Sequence, residues 1–124
     1  MVDLGSIGDG FSHLVADMPK ELTPETIELI AQRFRAMGEP MRLRILMALR
    51  GGEMTVTALV EQQETSQANI SKHLQVLVAS GLLKRRKQGL NVLYAIADPG
   101  IFTMCDTVCG SIKKHLDAQA KLLG

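Results

Sequence analysis

Residues 66–75 read SQANISKHLQ, the pattern of a helix whose N-cap is Ser66. A serine hydroxyl at that position accepts a backbone N–H of the first turn. Ile70, Leu74 and Leu77 then recur at the spacing of one helix face, so we expect that face to be buried. Lys72 lies on the opposite side and Gln67 in the first turn. The plainer interpretation of this polar start is a solvated helix end, and the functional one is a helix that recognises a polar partner.

Length and composition limit the class of protein. The chain has 124 residues, of which 46% are hydrophobic and 3% aromatic, which predicts one domain with an aliphatic, mainly helical core. The opening MVDLGSIGDG lacks the basic start and apolar run of a secretion signal, and the sequence contains no apolar run of membrane-spanning length. We therefore expect a cytoplasmic protein with no membrane partner, whose two cysteines are free thiols.

Positive charge is concentrated in one segment. The net charge of the whole chain is +1, but residues 65–97 carry +5 and contain no Asp or Glu. The basic residues of this segment are Lys72, Lys84, Arg85, Arg86 and Lys87. A run such as KRRK is by itself most often a solvated strand. Its combination with the polar helix start favours a polyanionic partner.

The order of predicted elements is four helices, a β-hairpin and a last helix. We expect residues 1–22 to form a mobile arm and residues 23–124 to form one domain. Thr23, Thr55 and Asp98 are the predicted N-caps of the first, third and last helices, with Pro99 as the first residue of the last helix. The arginines of the second helix are expected to point outward: Arg42, Arg44 and Arg50. LLKRRKQ and NVLYAIA flank a Gly-Leu turn as two strands.

This order, α-α-α-α-β-β-α, with a three-residue link before the fourth helix, predicts a mainly α winged helix-turn-helix fold. In that fold the fourth helix enters the DNA major groove, so Gln67 and Asn69 are candidates to pair with adenine. Lys72 and the hairpin basic residues are candidates to contact phosphates. The full set of predicted DNA-binding residues is Ser66, Gln67, Asn69, Ser71, Lys72, His73, Lys84, Arg85, Arg86 and Lys87.

Two stretches, MGEPMRLRILMALRGGEMTVTALVE (37–61) and SQANISKHLQVLVASGLLKRRKQGLNVLYAI (66–96), carry a family resemblance. From about residue 24 to residue 118 the chain resembles the ArsR/SmtB family of metal- and stress-sensing repressors. The resemblance implies double-stranded DNA as partner, a homodimer formed by the first and last helices, and repression relieved by an effector. The effector sites of known subgroups are not matched: TALVE lacks their cysteine pair, RLRILMALR has no cysteine, and of their last-helix zinc ligands only Asp98 has a counterpart.

The last helix carries an apolar stripe that a single small domain is not expected to cover. Its burial across a two-fold axis predicts a homodimer. The predicted dimer-interface residues are Ile101, Met104, Val108, Ile112 and Leu116.

Cys105 and Cys109 are the candidate effector site. Four residues apart on a helix, their Cβ atoms are expected about 5–6 Å apart, whereas a disulfide needs roughly 3.5–4.5 Å. Two thiolates suit one soft ion, either arsenic(III), antimony(III), cadmium(II) or zinc(II). His115, His13 or a thiol of the dyad-related helix would supply a third ligand. Cysteine oxidation or persulfide formation is the alternative signal, and the interpretation of both cysteines as packing residues stays equally open.

Two other classes of function compete with a DNA-binding regulator. The first is a thiol redox protein, but Cys-x-x-x-Cys is not the spacing of thioredoxin-like sites, and so we do not expect an enzyme. The second is a winged-helix protein-interaction module without an effector. The acid-free basic segment argues against this second class, and a failure to bind any DNA at any salt concentration would favour it.

Overall fold

The computed structural model describes residues 22–124. The predicted arm, apart from Leu22, lies outside the described residues, as does His13. The chain divides into two units between Ala31 and Gln32, and the core described below lies in the second. Within residues 22–124, no helix is long and apolar enough to cross a membrane.

Within the described residues, five helices follow the predicted order. Their bounds are Pro24–Met37 (α1), Pro40–Leu49 (α2), Val56–Gln63 (α3), Gln67–Ala79 (α4) and Ile101–Leu123 (α5). Thr23, Thr55 and Ser66 each accept a hydrogen bond, 3.1 Å long, from the backbone N–H three residues later. These three predicted N-caps are therefore confirmed, and they fix the starts of α1, α3 and α4.

The predicted start of the last helix is wrong by two residues. Helix α5 begins at Ile101, after Gly100, and has no side-chain cap. The Asp98 carboxylate accepts the Gly100 N–H at 3.1 Å and forms an ion pair with Arg33 of α1. Because the N–H groups of residues 101 and 102 bond to the carbonyls three residues earlier, a tight turn precedes the α-helix.

The hairpin belongs to a three-stranded antiparallel sheet. Its strands are Met54–Thr55 (β1), Leu83–Gln88 (β2) and Asn91–Ile96 (β3), in the order β1-β3-β2. The two-residue β1 was not predicted. Gly89 and Leu90 form the turn between β2 and β3, and Gly89 has a φ of +62°, which a two-residue hairpin favours in its first turn residue.

The core joins α2, α3, α4 and the start of α5. The predicted apolar face of α4 is confirmed, because Ile70, Leu74 and Leu77 are each 0% exposed. The other buried core residues are Ala36, Met37, Ile45, Leu46, Leu49, Leu59, Leu82, Leu83, Ile101 and Phe102. Because three separate residues anchor α4 in this core, the helix has a fixed rotation and its other face is presented outward.

Two of the three arginines predicted to point outward bind neighbouring helices: Arg42 is partly buried, whereas Arg50, just after α2, remains exposed as expected. The Arg42 Nε donates to the Ala36 carbonyl at 2.5 Å, at the end of α1, where the last carbonyls of a helix lack partners of their own. Arg50 donates two hydrogen bonds to the Asp106 carboxylate, at 2.8 and 3.0 Å, and lies over the Phe102 ring. Arg50 therefore ties the end of α2 to α5.

Candidate nucleic-acid interface

Helix α4 presents a polar surface at its amino-terminal half. Lys72 is exposed on the side away from the buried face, Gln67 is exposed in the first turn, and Ser71 is partly exposed at the flank. The Ser66 hydroxyl accepts the Asn69 N–H, so the first turn is closed by its own side chain. Amide, hydroxyl and ammonium groups are the types of side chain that contact DNA base edges and phosphates.

The Asn69 side chain is oriented by a residue that the sequence pattern did not single out. Its Nδ2 donates to the Thr65 Oγ1 at 3.1 Å. Thr65 lies in the short link before α4, four residues earlier, and its hydroxyl holds the amide against the helix start. The Asn69 Oδ1 takes no part in this contact and can still accept a hydrogen bond.

His73 does not belong to the exposed surface. His73 is only 6% exposed, and within residues 22–124 it is classed as a buried polar residue. Its Nδ1 lies 3.3 Å from the Arg42 Nη1 and 3.7 Å from the Glu39 Oε2. The inclusion of His73 among the DNA-binding residues is therefore corrected: its ring packs against α2 and the residue that caps it.

The basic residues of β2 alternate between the two faces of the sheet. Leu83, Arg85 and Lys87 share one face, and Leu83 together with its partner Ile96 packs into the core on that side. Lys84 and Arg86 share the other face. The sequence run KRRK is thus divided into two pairs that face opposite directions.

Glu53 forms an ion pair with one of these four residues, Arg86. The Arg86 Nε donates to its carboxylate at 2.8 Å, and a second hydrogen bond makes the contact bidentate. The contact with Arg86 lowers the pKa of Glu53, while the hydrogen bond to Glu53 raises the pKa of Arg86, so both groups are charged at neutral pH. The side chains of Arg85 and Lys87, by contrast, form no hydrogen bond or ion pair within residues 22–124. Glu53 precedes the acid-free segment, so its effect was missed when charge was counted along the chain.

The two cysteines line an open apolar groove between α5 and the ends of α1 and α2, with a volume of about 480 Å³. Cys105 is partly buried, Cys109 is exposed, and both are free thiols. The groove is lined by Phe34, Met37, Gly38, Leu43, Met47, Met104, Cys105, Val108, Cys109 and Ile112.

His115 does not complete a metal site with these thiols. It is exposed, and its Nε2 accepts a hydrogen bond from the Gln119 amide at 3.2 Å. Among residues 22–124, no group of three or more His, Cys, Asp or Glu residues is placed to hold a metal ion. The pairing of His115 with the cysteines within one chain is therefore wrong. Six residues separate it from Cys109, which puts it about 9 Å further along the helix axis.

The predicted dimer-interface residues differ in exposure. Ile101 is only 4% exposed in the chain's own core, so its assignment to a dimer interface is corrected. Met104 is partly buried and packs against the core. Val108, Ile112 and Leu116 are 52%, 55% and 57% exposed, and they form an apolar ridge along α5.

Comparison with known proteins matches this architecture to transcriptional regulators. A family model described as a helix-turn-helix domain matches residues 37–86. Over 75 residues the chain is 39% identical to an uncharacterized HTH-type transcriptional regulator of Methanocaldococcus jannaschii, covering 60% of this chain and 84% of that one. Over 96 residues it is 28% identical to a transcriptional repressor SmtB homolog of Synechocystis, covering 77% and 73%.

A solved structure agrees with these sequences. The homodimeric winged helix-turn-helix domain of Mb0332 from Mycobacterium bovis, a possible ArsR-family regulator, aligns with a TM-score of 0.69 and 25% identity. The alignment covers 82% of this chain and 95% of that domain. The chain belongs to the ArsR/SmtB family. It is consequently a DNA-binding transcriptional regulator and not an enzyme, and the interpretation of its cysteines as the centre of a thiol redox enzyme is set aside.

Membership of the ArsR/SmtB family does not identify the effector. This ArsR/SmtB chain has its two thiols on α5, inside the apolar groove, rather than in the third or second helix. The donor set that residues 22–124 offer in this groove is two sulfur atoms, which suits soft ions and sulfur chemistry better than hard cations that prefer oxygen ligands.

Proposed function

We propose that α4 reads base edges in a DNA major groove while the hairpin, as the wing, contacts the neighbouring phosphates. The observation that carries this proposal is the fixed rotation of α4. Ile70, Leu74 and Leu77 are fully buried, so Lys72, on the opposite side of the helix, has to face outward, and Gln67 is exposed in the first turn. A helix held in this way presents the same polar edge to every duplex it meets, which is what sequence recognition requires.

Within this proposal the side chains of α4 divide their work by chemistry. Gln67 and Asn69 contact base edges, since amides can pair with adenine. Lys72 contacts a phosphate, because an ammonium group on a flexible stem neutralises charge without reading sequence. Ser66 and Ser71 provide hydroxyl groups near the entry of the helix into the groove.

We assign the wing's phosphate contacts to Arg85 and Lys87 rather than to Lys84 and Arg86. The side chains of Arg85 and Lys87 have no hydrogen-bond or ion-pair partner within residues 22–124, and they lie on the same face of β2 as Leu83. Lys84 and Arg86 lie on the other face, where the Glu53 carboxylate already binds the Arg86 guanidinium. A neutralised arginine releases fewer counterions when it approaches a phosphate.

The double variant Arg85→Ala/Lys87→Ala is expected to reduce the slope of log affinity against log salt by roughly two. The matched control, Lys84→Ala/Arg86→Ala, removes the same charge from the other face of the same strand and is expected to change the slope by less than about one. Fluorescence anisotropy on one duplex at four salt concentrations measures both. Equal slope losses, or a larger loss in the control, would contradict the assignment.

We also propose that the regulator acts as a homodimer that represses transcription. Val108, Ile112 and Leu116 expose an apolar ridge on α5, and Ile27 and Ile30 are exposed on α1. Exposed apolar side chains on each of these helices, taken separately, are typical of a subunit interface. The Mb0332 domain is itself homodimeric. Two copies related by a two-fold axis would present two α4 helices to half-sites about one turn of DNA apart.

For the effector we propose a soft metal or metalloid ion, or a sulfur oxidant or persulfide, acting at Cys105 and Cys109. The support is their position: both line the groove beside Val108 and Ile112, two residues of the proposed dimer surface. A ligand that joins these thiols changes the shape of that surface. Because residues 22–124 offer two sulfurs and no third ligand, a three-coordinate ion such as arsenic(III) would take its third ligand from His13, from the partner's thiols or from solution.

Titration of DNA-bound protein with each signal tests the cysteines. We expect wild type to lose operator affinity with at least one of arsenic(III), antimony(III), cadmium(II), zinc(II), an oxidant or a persulfide donor. We expect Cys105→Ser and Cys109→Ser to respond at least about tenfold less, since a hydroxyl is a poor ligand for soft ions. A wild type that ignores all six, or serine variants that respond equally, would identify both cysteines as packing residues.

A further inference from the structure

His73 is a buried polar residue that the recognition of DNA described above does not use. Its neighbours on the inner face of α4 are apolar, and Leu74 and Leu77 are 0% exposed. Burial of an imidazole costs free energy unless its nitrogen atoms are hydrogen-bonded. An aliphatic side chain would fill this space without that cost. The contacts of His73 therefore indicate what the imidazole contributes.

The His73 ring is held by Arg42. The Arg42 Nη1 lies 3.3 Å from His73 Nδ1. A guanidinium can only donate, so Nδ1 is the acceptor and the proton of the neutral ring is on Nε2. The Glu39 Oε2 lies 3.7 Å from the same Nδ1, and that carboxylate also accepts the Arg42 backbone N–H at 2.8 Å as the N-cap of α2.

Arg42 makes its other contacts at the end of α1. Its Nε donates to the Ala36 carbonyl at 2.5 Å and its Nη2 donates to the Arg35 carbonyl at 3.1 Å. One guanidinium therefore joins three elements: the last turn of α1, the first turn of α2, and α4 through His73. Asn69 lies four residues before His73, one turn earlier on the same side of α4. A movement at the end of α1 that carries Arg42 with it would be transmitted to the turn that holds Asn69.

We propose that His73 is a positioning residue, whose Nδ1 contact with Arg42 links α4, with its apolar face fixed in the core, to α2 and to the end of α1, and so couples these helices to DNA recognition. This inference rests on the proposed reading of DNA by α4. It assigns to His73 a role inside the protein, with no contact to a base or a phosphate.

The protonation of His73 provides a readout that does not depend on DNA. Burial lowers the pKa of His73, the Glu39 carboxylate opposes that shift, and Lys72 and Arg42 add to it. As the pH falls below 6.5, the ordinary value, the unfolded chain takes up the proton first. The free energy of unfolding should therefore fall with pH in this range in wild type. In His73→Asn, which has no ionisable group at this position, the decrease should be smaller.

A set of substitutions in the full-length protein tests the role of Nδ1. The Asn amide oxygen is two bonds from Cβ, as Nδ1 is, whereas the Gln amide reaches the position of Nε2. We expect His73→Asn to keep operator affinity within about threefold, and His73→Gln and His73→Leu to lose about tenfold or more. Nitrogen-15 NMR of wild type should show the neutral Nε2–H tautomer, and Arg42→Met should change the His73 Nδ1 signal.

The outcomes separate this inference from the proposed function. If wild type binds DNA and His73→Leu binds it equally well, or if Asn and Gln are equivalent, the positioning role is overturned while recognition by α4 stands. If Lys72→Ala and Asn69→Ala bind as wild type does, recognition by α4 fails and the inference fails with it. An Nδ1–H tautomer that Arg42→Met leaves unchanged would overturn the inference without any DNA measurement.

Discussion

Val108→Asp is expected to reduce operator affinity by roughly two orders of magnitude or more, although Val108 lies on α5 and away from α4. Val108 is 52% exposed in the single chain and lines the groove together with Ile112. An aspartate there costs little in a monomer, because water solvates it. Across a two-fold axis the same substitution would bury two like charges in an apolar interface. The dimer would dissociate and the two recognition helices would no longer bind as a unit.

Thr103→Asp is the matched control for this substitution. Thr103 is exposed on the same helix, five residues earlier and on a different face, and it receives the same added charge. We expect it to remain dimeric and to bind operator as wild type does. Sedimentation velocity at micromolar concentration and anisotropy on operator DNA measure both properties. A Val108→Asp protein that stays dimeric, or a monomeric one that binds with unchanged affinity, would contradict the proposed interface.

Asn69→Ala is expected to cost about 1–3 kcal/mol on the preferred duplex, or roughly 5- to 150-fold in affinity, and almost nothing on unrelated duplexes. The loss is confined to the preferred duplex because an amide that pairs with a base edge contributes only where that base is present. The Thr65 hydroxyl already orients the Asn69 amide in the free protein, so this side chain loses little conformational entropy when DNA binds.

Lys72→Ala provides the contrast on the same helix. Removal of a phosphate contact should weaken binding to all duplexes alike and reduce the salt slope by about one. Competition assays that compare the affinity of each variant for the preferred duplex and for a scrambled one distinguish a base contact from a phosphate contact. If Asn69→Ala weakens both duplexes equally, Asn69 does not read a base.

The sequence was sufficient for the features that depend on neighbours within a turn of helix. The start of α4 follows from the Ser66 hydroxyl and the Asn69 N–H, three residues apart. Its buried face follows from the spacing of Ile70, Leu74 and Leu77. Local spacing also predicts the hairpin, because a glycine-containing two-residue turn separates two strands of six residues. Such signals need no knowledge of the tertiary structure.

The predictions that the structure corrects concern residues whose partners are distant in the chain. A helical wheel puts His73 at the flank of the apolar face, and only the packing of α2 places that flank inside the protein. Glu53 reaches Arg86 across 33 residues, so a charge count along the chain treats Arg86 as available. Asp98 is drawn to Arg33 instead of capping α5, from 65 residues away. Sequence pattern specifies which residues are polar, and tertiary structure determines which of them are already paired.

Selection of duplexes from a random library with the full-length protein tests the central claim most directly. We predict enrichment of an inverted repeat whose half-sites are centred about 10–11 base pairs apart, or a multiple of one helical turn. The half-site preference should weaken in Asn69→Ala and persist in Lys72→Ala. Enrichment of no duplex, or of a single half-site without a symmetric partner, would contradict a two-fold dimer that reads DNA through α4.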